Sequence, residues 1–283
     1  MFKVVKRRML TSNICLQEVE APRIAGSAQP GQFLIVRARE KGERVPLTIC
    51  DYDRERGTVT IVTQIIGASS RQIAAVEEGG FFLDVVGPLG QASDFMKMPV
   101  EELKDKRYVF IAGGLGTAPV YPQAKYLYEA GASVDIIMGA KTADLIILED
   151  KMSQVCDNLY ICTDDGSKGE KGLVTQILKN LLDLGEKYDC AVAIGPMIMM
   201  KFVTLTAKDY NLPLTVSLNT LMVDGTGMCG ACRVTVGGKT RFACVEGPEF
   251  DAYQVDFDEA MRRQGMYRPQ EVEADHKCHI GLH

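Results

Sequence analysis

Near its C-terminal end the chain reads Asp224-Gly-Thr-Gly-Met-Cys229-Gly-Ala-Cys232, then eleven residues, then Cys244. A cysteine at position 224 would complete the spacing of a plant-type [2Fe–2S] loop, C-x4-C-x2-C…C. Soft thiolates select iron–sulfur clusters, zinc or cuprous copper over hard cations. Gly225, Gly227 and Gly230 let the backbone wrap a small anionic object and turn N–H groups toward it. Three other readings stay open: a zinc site with one carboxylate ligand, a C-x-x-C redox dithiol at Cys229 and Cys232, and ordinary buried cysteines. Zinc ribbons use two short knuckles, whereas here Cys244 arrives alone after a hairpin pattern, Arg233–Val236 and Lys239–Ala243 around Gly237-Gly238. The spacing therefore favours the cluster. Asp224 is its fourth ligand or a bystander, and its register is that of the missing cysteine.

The elements that must carry such a loop are those of an ordinary folded protein. A chain of 283 residues, 46% hydrophobic and 24% charged, is long enough for two domains and a small third. A net charge of −5 argues against nucleic acid as partner. The N-terminus turns charged at Lys3, Lys6, Arg7 and Arg8, so no signal peptide is expected, and the apolar run Ile194–Met200 is broken by Gly195-Pro196. With nine cysteines and no secretory signal, a reducing cytoplasm is expected, the six cysteines outside the loop being free thiols. The three histidines, His276, His279 and His283, lie in the last eight residues. The body has no histidine general base and no Rieske-type ligand pair. The tail itself reads as solvated.

Strand-like runs at Phe2–Val5, Ile14–Val19, Gln32–Arg37, Thr58–Ile65 and Phe81–Val86 predict an antiparallel β-barrel over residues 1–98, with a helix at Ser69–Val76. Met98–Lys106 reads as a linker. From Arg107 strands and helices alternate, which predicts a doubly wound parallel α/β domain over 99–216. The cysteine segment follows at 217–250, then a charged tail at 251–283.

Strand Tyr108–Ile111 leads into Gly113-Gly114-Leu-Gly116-Thr117-Ala118-Pro119 and a helix, a turn that lets a phosphate approach backbone N–H groups. The G-x-G-x-x-G fingerprint is absent, and a tight βα turn without ligand remains open. Gly195-Pro196-Met197 ends another strand at the carboxyl edge, where open α/β sheets bind ligands. Asp165 and Gly166 end a third, where the acid can accept from ribose hydroxyls or cap its own segment. In the barrel, Arg44-Val-Pro46-Leu47-Thr48 offers an arginine fork and a hydroxyl, and Gly67-Ala-Ser69-Ser70-Arg71 opens a helix.

Taken together, Arg44-x-Pro46-Leu47-Thr48, Gly67-x-Ser69-Ser70, Gly113-Gly-x-Gly-Thr-Ala-Pro119 and Gly195-Pro196-Met197 resemble the successive motifs of the ferredoxin–NADP reductase superfamily. The cysteine loop narrows this to a branch with the dihydroorotate dehydrogenase electron-transfer subunit and the small subunit of NADH-dependent ferredoxin:NADP oxidoreductase (sulfide dehydrogenase-like). The resemblance implies FAD on the barrel, NAD(H) on the middle domain and a [2Fe–2S] cluster. Arg44, Pro46, Leu47 and Thr48 would hold the flavin's ring side and phosphate, Val62, Thr63 and Gln64 the next strand of its site, and Gly67, Ser69 and Ser70 its pyrophosphate. Gly113, Gly114, Gly116, Thr117, Ala118, Gly195, Pro196 and Met197 would face the nicotinamide nucleotide. Lys141 keeps NADP open. In the dihydroorotate branch the first cluster ligand is cysteine, so Asp224, Cys229, Cys232 and Cys244 resemble the transhydrogenase subunit instead.

That resemblance implies an oxidoreductase subunit of a bifurcating enzyme. Its larger partner would carry a second FAD, [4Fe–4S] clusters and the NADP site, and would link the chain indirectly to ferredoxin. The segment Gly247–Arg268 is expected to help dock that partner, because neither nucleotide fold needs it. Two alternatives remain: the electron-transfer subunit of dihydroorotate dehydrogenase, and a stand-alone carrier without pyridine-nucleotide activity.

Overall fold

The computed structural model describes residues 1–279. The expectation for a solvated histidine tail falls partly on His283, outside the described residues.

The first unit comprises β1 (Phe2–Thr11), β2 (Ile14–Glu20), α1 (Pro22–Ser27), β3 (Phe33–Arg37), β4 (Val45–Asp53), β5 (Thr58–Gln64), α2 (Ala68–Ala74), β6 (Phe81–Phe82) and β7 (Asp84–Leu89). Its seven strands are ordered β6-β1-β2-β5-β4-β3-β7, all antiparallel. The two outer strands are consecutive in the chain, so the sheet curls into a nearly closed barrel and leaves little free edge. The single strand expected at Phe81–Val86 is split at Leu83, because β6 pairs with β1 and β7 with β3. Alternating residues such as Leu34, Val36, Ile49, Val59 and Ile61 fill the interior.

The second unit contains α3 (Val100–Leu103), β8 (Arg107–Gly113), α4 (Thr117–Glu129), β9 (Ser133–Ala140), α5 (Glu149–Met152), β10 (Asn158–Thr163), β11 (Glu170–Lys171), α6 (Val174–Asp183), β12 (Cys190–Ile194), α7 (Met197–Asp209) and β13 (Leu214–Ser217). Strands β8, β9, β10, β12 and β13 are apolar runs sandwiched between helices, as a parallel sheet requires. The order β11-β10-β9-β8-β12-β13, closed at its edge by β16 (Glu249–Asp251), winds one way from β8 to β11 and then returns to β8's other side with β12. The topological switch point lies between β8 and β12. Under the sheet, buried Asp135 is held by Arg107 (2.8 Å), Tyr188 (2.9 Å) and Asn158 (2.8 Å). A bare carboxylate there would cost several kcal/mol, on the order expected for an unpaired buried ion.

The last segment forms β14 (Arg233–Val236), β15 (Lys239–Phe242), α8 (Ala243–Glu246), β16 (Glu249–Asp251), α9 (Phe257–Gln264) and α10 (Arg268–His279). Gly237 and Gly238 both have positive φ, the hallmark of the two-residue turn that matches strand twist. Two expectations are corrected here. The stretch 98–106 is no free linker, since α3 buries Leu103 completely in the core shared with α4. Nor is Gly247–Arg268 dispensable to the nucleotide fold. Strand β16 pairs antiparallel with β13, and Ala252, Phe257 and Ala260 are buried in the same core as α7. Their apolar faces alternate with the charges that made the segment read as a partner-docking tail.

Candidate functional site

Both glycine turns of the nucleotide sheet lie at the switch point. Gly114 has φ +54°, and Thr117 donates through Oγ1 to the Gly114 carbonyl at 3.0 Å, closing the turn into α4. An added Cβ at Gly116 would overlap the Ile194 carbonyl, and one at Gly113 would overlap Met199 and lie 3.0 Å from Pro196. The two predicted loops, Gly113–Ala118 and Gly195–Met197, are therefore in direct contact. Asp165 and Gly166 stand two strands away, after β10. The Ser167 hydroxyl (2.6 Å) and amide (2.9 Å) donate to Asp165 and hold its carboxyl below the ordinary range, so the acid caps its own turn.

On the barrel, Pro46, Leu47 and Thr48 of β4 are half-buried opposite Ile35, Leu34 and Phe33. At the start of α2, Ser70 Oγ accepts from the Ile66 and Gly67 amides at 3.0 Å each, and Ser69 bonds Glu43. The buried Thr63 Oγ1 on β5 has no hydrogen-bond partner among the described residues, and it is flanked by half-buried Gln64 and buried Val62. An orphaned hydroxyl in a barrel wall fits a polar ligand such as a flavin nucleotide.

The cysteine loop rests on this barrel. Met222, Cys232 and Cys244 share a core cluster with Phe33 and Ile35, and a Cβ on Gly225 would lie 2.6 Å from Ile35 and 2.8 Å from Leu89. The Cys232 and Cys244 sulfurs are 3.2 Å apart, close to the roughly 3.8 Å between two thiolates on one tetrahedral metal. Cys229 is exposed, and among the described residues no group of three or more metal-binding side chains converges. Asp224 is turned onto the loop, accepting from the Thr226 (2.9 Å) and Cys229 (2.8 Å) amides. N–H groups of Ala231 and Cys244 point at Cys229 and Cys232 sulfur (3.5 and 3.4 Å). Burial, and then the neighbouring Cys232, pushes the Cys244 thiol up, so metal binding must release its proton. Three sulfurs with N–H donors on a loop of positive-φ glycines fit an iron–sulfur cluster in donor set and backbone.

Sequence reasoning missed the joint between these sites. Glu249 of β16 accepts from Gln123 of α4 (2.7 Å) and from Ser93 (3.1 Å). Burial raises its carboxyl to about 7. On the opposite side, Asp51 of β4 pairs with Lys125 (3.2 Å) and Lys151 (3.1 Å). These contacts join residues far apart in the chain, and no local pattern signals them.

Similarity to known proteins agrees with this arrangement. Residues 219–256 match the iron–sulfur cluster binding domain of dihydroorotate dehydrogenase B. A chain of the NADH-dependent reduced ferredoxin-NADP oxidoreductase structure, described in work on flavin-based electron bifurcation, superposes with a TM-score of 0.89. It is 41% identical over 97% of this chain and 96% of its own. The ferredoxin reductase of carbazole 1,9a-dioxygenase shares the fold alone (TM-score 0.61, 16% identity, 75% of this chain and 65% of that one). Fold and sites thus define a reductase of the ferredoxin–NADP reductase type, with the FAD- and NAD-binding fold and an added iron–sulfur-binding domain. A Thermotoga maritima homologue of the dihydroorotate dehydrogenase B (NAD(+)) electron transfer subunit is 43% identical over 95% of this chain and 92% of its own. An uncharacterised Clostridium beijerinckii protein is 55% identical over 97% of this chain and 93% of its own. The chain belongs to the family of dihydroorotate dehydrogenase B electron-transfer subunits and their homologues, and is an electron-transfer subunit of an oxidoreductase. Among the described residues no helix is long and apolar enough to cross a membrane.

Proposed function

We propose that the chain is the NAD(H)-linked electron-transfer subunit of a cytoplasmic, electron-bifurcating NADH-dependent ferredoxin:NADP oxidoreductase, working with a larger flavin and iron–sulfur subunit that connects it to ferredoxin. The observation that carries this reading is contiguity: one barrel touches the nucleotide switch point on one side and seats the cysteine loop on the other. Residues 1–98, 99–216 and 217–250 are the three cofactor modules, the last returning a strand to the sheet of the second. The tail at 251–283 follows them. When bound, FAD supplies hydride exchange with NAD(H), and the [2Fe–2S] cluster supplies one-electron exchange.

The chain's own residues orient and shield. Gly113, Gly114, Gly116, Thr117, Ala118, Gly195, Pro196 and Met197 form the nicotinamide-side wall, while Asp165 and Gly166, two strands away, cap their own turn. Pro46, Leu47, Thr48, Val62, Thr63, Gln64, Gly67, Ser69 and Ser70 form the flavin side, with Arg44 beside them turned toward Val223 and Asp84. Asp224, Cys229, Cys232 and Cys244 hold the cluster. An oxygen ligand in the first position favours the oxidoreductase over the dihydroorotate branch.

Anaerobic purification from native cells tests this. FAD, two iron and two sulfide per chain are expected, as a [2Fe–2S] cluster requires, with flavin bleaching by NADH and a co-purifying subunit that reduces NADP. A colourless zinc protein would defeat the reading. The iron–sulfur domain match and the Thermotoga relative favour a second reading, the dihydroorotate dehydrogenase subunit; co-purification with an FMN enzyme that oxidises dihydroorotate would select it.

A further inference from the structure

The motif resemblance assigns Arg44 to the flavin, but its side chain reaches elsewhere. Arg44 Nε donates to the Val223 carbonyl at 3.2 Å, across 179 positions of sequence. Its Nη1 pairs with Asp84 of β7 at 3.3 Å, both side chains being about one-third exposed. Val223 precedes Asp224, and Gly225 follows it, seated against Ile35 and Leu89. Asp224 is thus clamped between a charge-assisted hydrogen bond on one side and an apolar seat on the other. Both anchors come from the barrel, and its carboxylate then organises the loop through the Thr226 and Cys229 amides.

We propose that Arg44 is a positioning residue for the iron–sulfur loop, fixing Asp224 on the flavin barrel through Val223. Its fork spans the Asp84 carboxylate and a peptide carbonyl at once, which a lysine cannot reproduce. Its positive charge stands one residue from the carboxylate, where charge and hydrogen bonding tune a cluster. The cluster part of this rests on the cofactor assignment proposed above; the loop part does not.

The test uses the full chain as isolated, comparing wild type with R44Q and R44K. Hydrogen exchange at the Thr226 and Cys229 amides is expected to accelerate about tenfold or more in R44Q, the effect of losing one charge-assisted bond. R44K keeps the ion pair with Asp84 and is expected to accelerate the same amides, while the Gly113–Ala118 amides stay unchanged in both. In protein that retains its iron, R44Q should also shift the EPR g-values and midpoint potential of the reduced cluster. Exchange within twofold of wild type in both variants would overturn the proposal. Unchanged EPR and potential in iron-replete R44Q would overturn its cluster part. If the wild type holds no iron, the cofactor assignment fails while the exchange comparison still decides on Arg44.

Discussion

Two glycine-rich loops are the candidate binding loops of this molecule, and their glycines serve different ends. In the turn between β8 and α4, Gly113 and Gly116 are required by neighbours: the chain of β12 and α7 passes so close that no side chain fits. In the cysteine loop, Gly225, Gly227 and Gly230 are required by their own backbones, with φ of +75°, +84° and +67°. The first loop is built by the packing of two βα units and exists before any ligand. The second rests on the barrel, with Gly225 against Ile35 and Leu89 and with Val223 and Met228 exposed. A nucleotide that must come and go suits a preformed edge. A resident cluster can itself complete the loop that holds it.

The sharpest way to break this contrast is G116A. A methyl against the Ile194 carbonyl forces two backbone segments apart, so a loss of more than about 3 kcal/mol is expected in chemical denaturation. A near-neutral result would mean that the two turns do not touch. G225A should cost less, about 2 kcal/mol, from a strained left-handed residue and displacement of the Ile35 and Leu89 side-chain tips. Its thermal melt should drop modestly, and restoring the cluster should recover part of the loss.

The smallest effect sharpens the nucleotide side. Glu249 ties β16 to α4 and to Ser93, and burial raises its carboxyl to about 7 from an ordinary 4.5. A raised folded pKa gives stability that is full below the unfolded value and lost as pH climbs through the folded one. E249Q accepts the same two bonds without titrating. Wild type and variant should match near pH 4, and the variant should be more stable by about 1–2 kcal/mol near pH 6, where the gap is still opening. A constant difference across that window would show that the carboxyl is not buried in solution.

Short-range rules reached far in this chain. The Gly237-Gly238 hairpin and the βα alternation after Arg107 each depend on a few adjacent residues. They were legible as written. The tail misled for the complementary reason. Glu249, Asp251, Asp256 and Asp258 are charged, yet Phe250, Ala252, Phe257 and Ala260 between them find partners on β13 and α7. Asp165 read equally well as a ribose ligand or a cap, and only the position of Ser167 shows it capping.

The sequence by itself determined which residues can ligate, which turns need glycine and where strands give way to helices, because those properties are local. Only the tertiary structure decided that the β8 and β12 turns touch, that Arg44 reaches Val223 and that Glu249 meets Gln123 and Ser93. Each of those contacts joins segments whose separation along the chain carries no periodicity, and whose meeting is fixed by how the sheets wind and close.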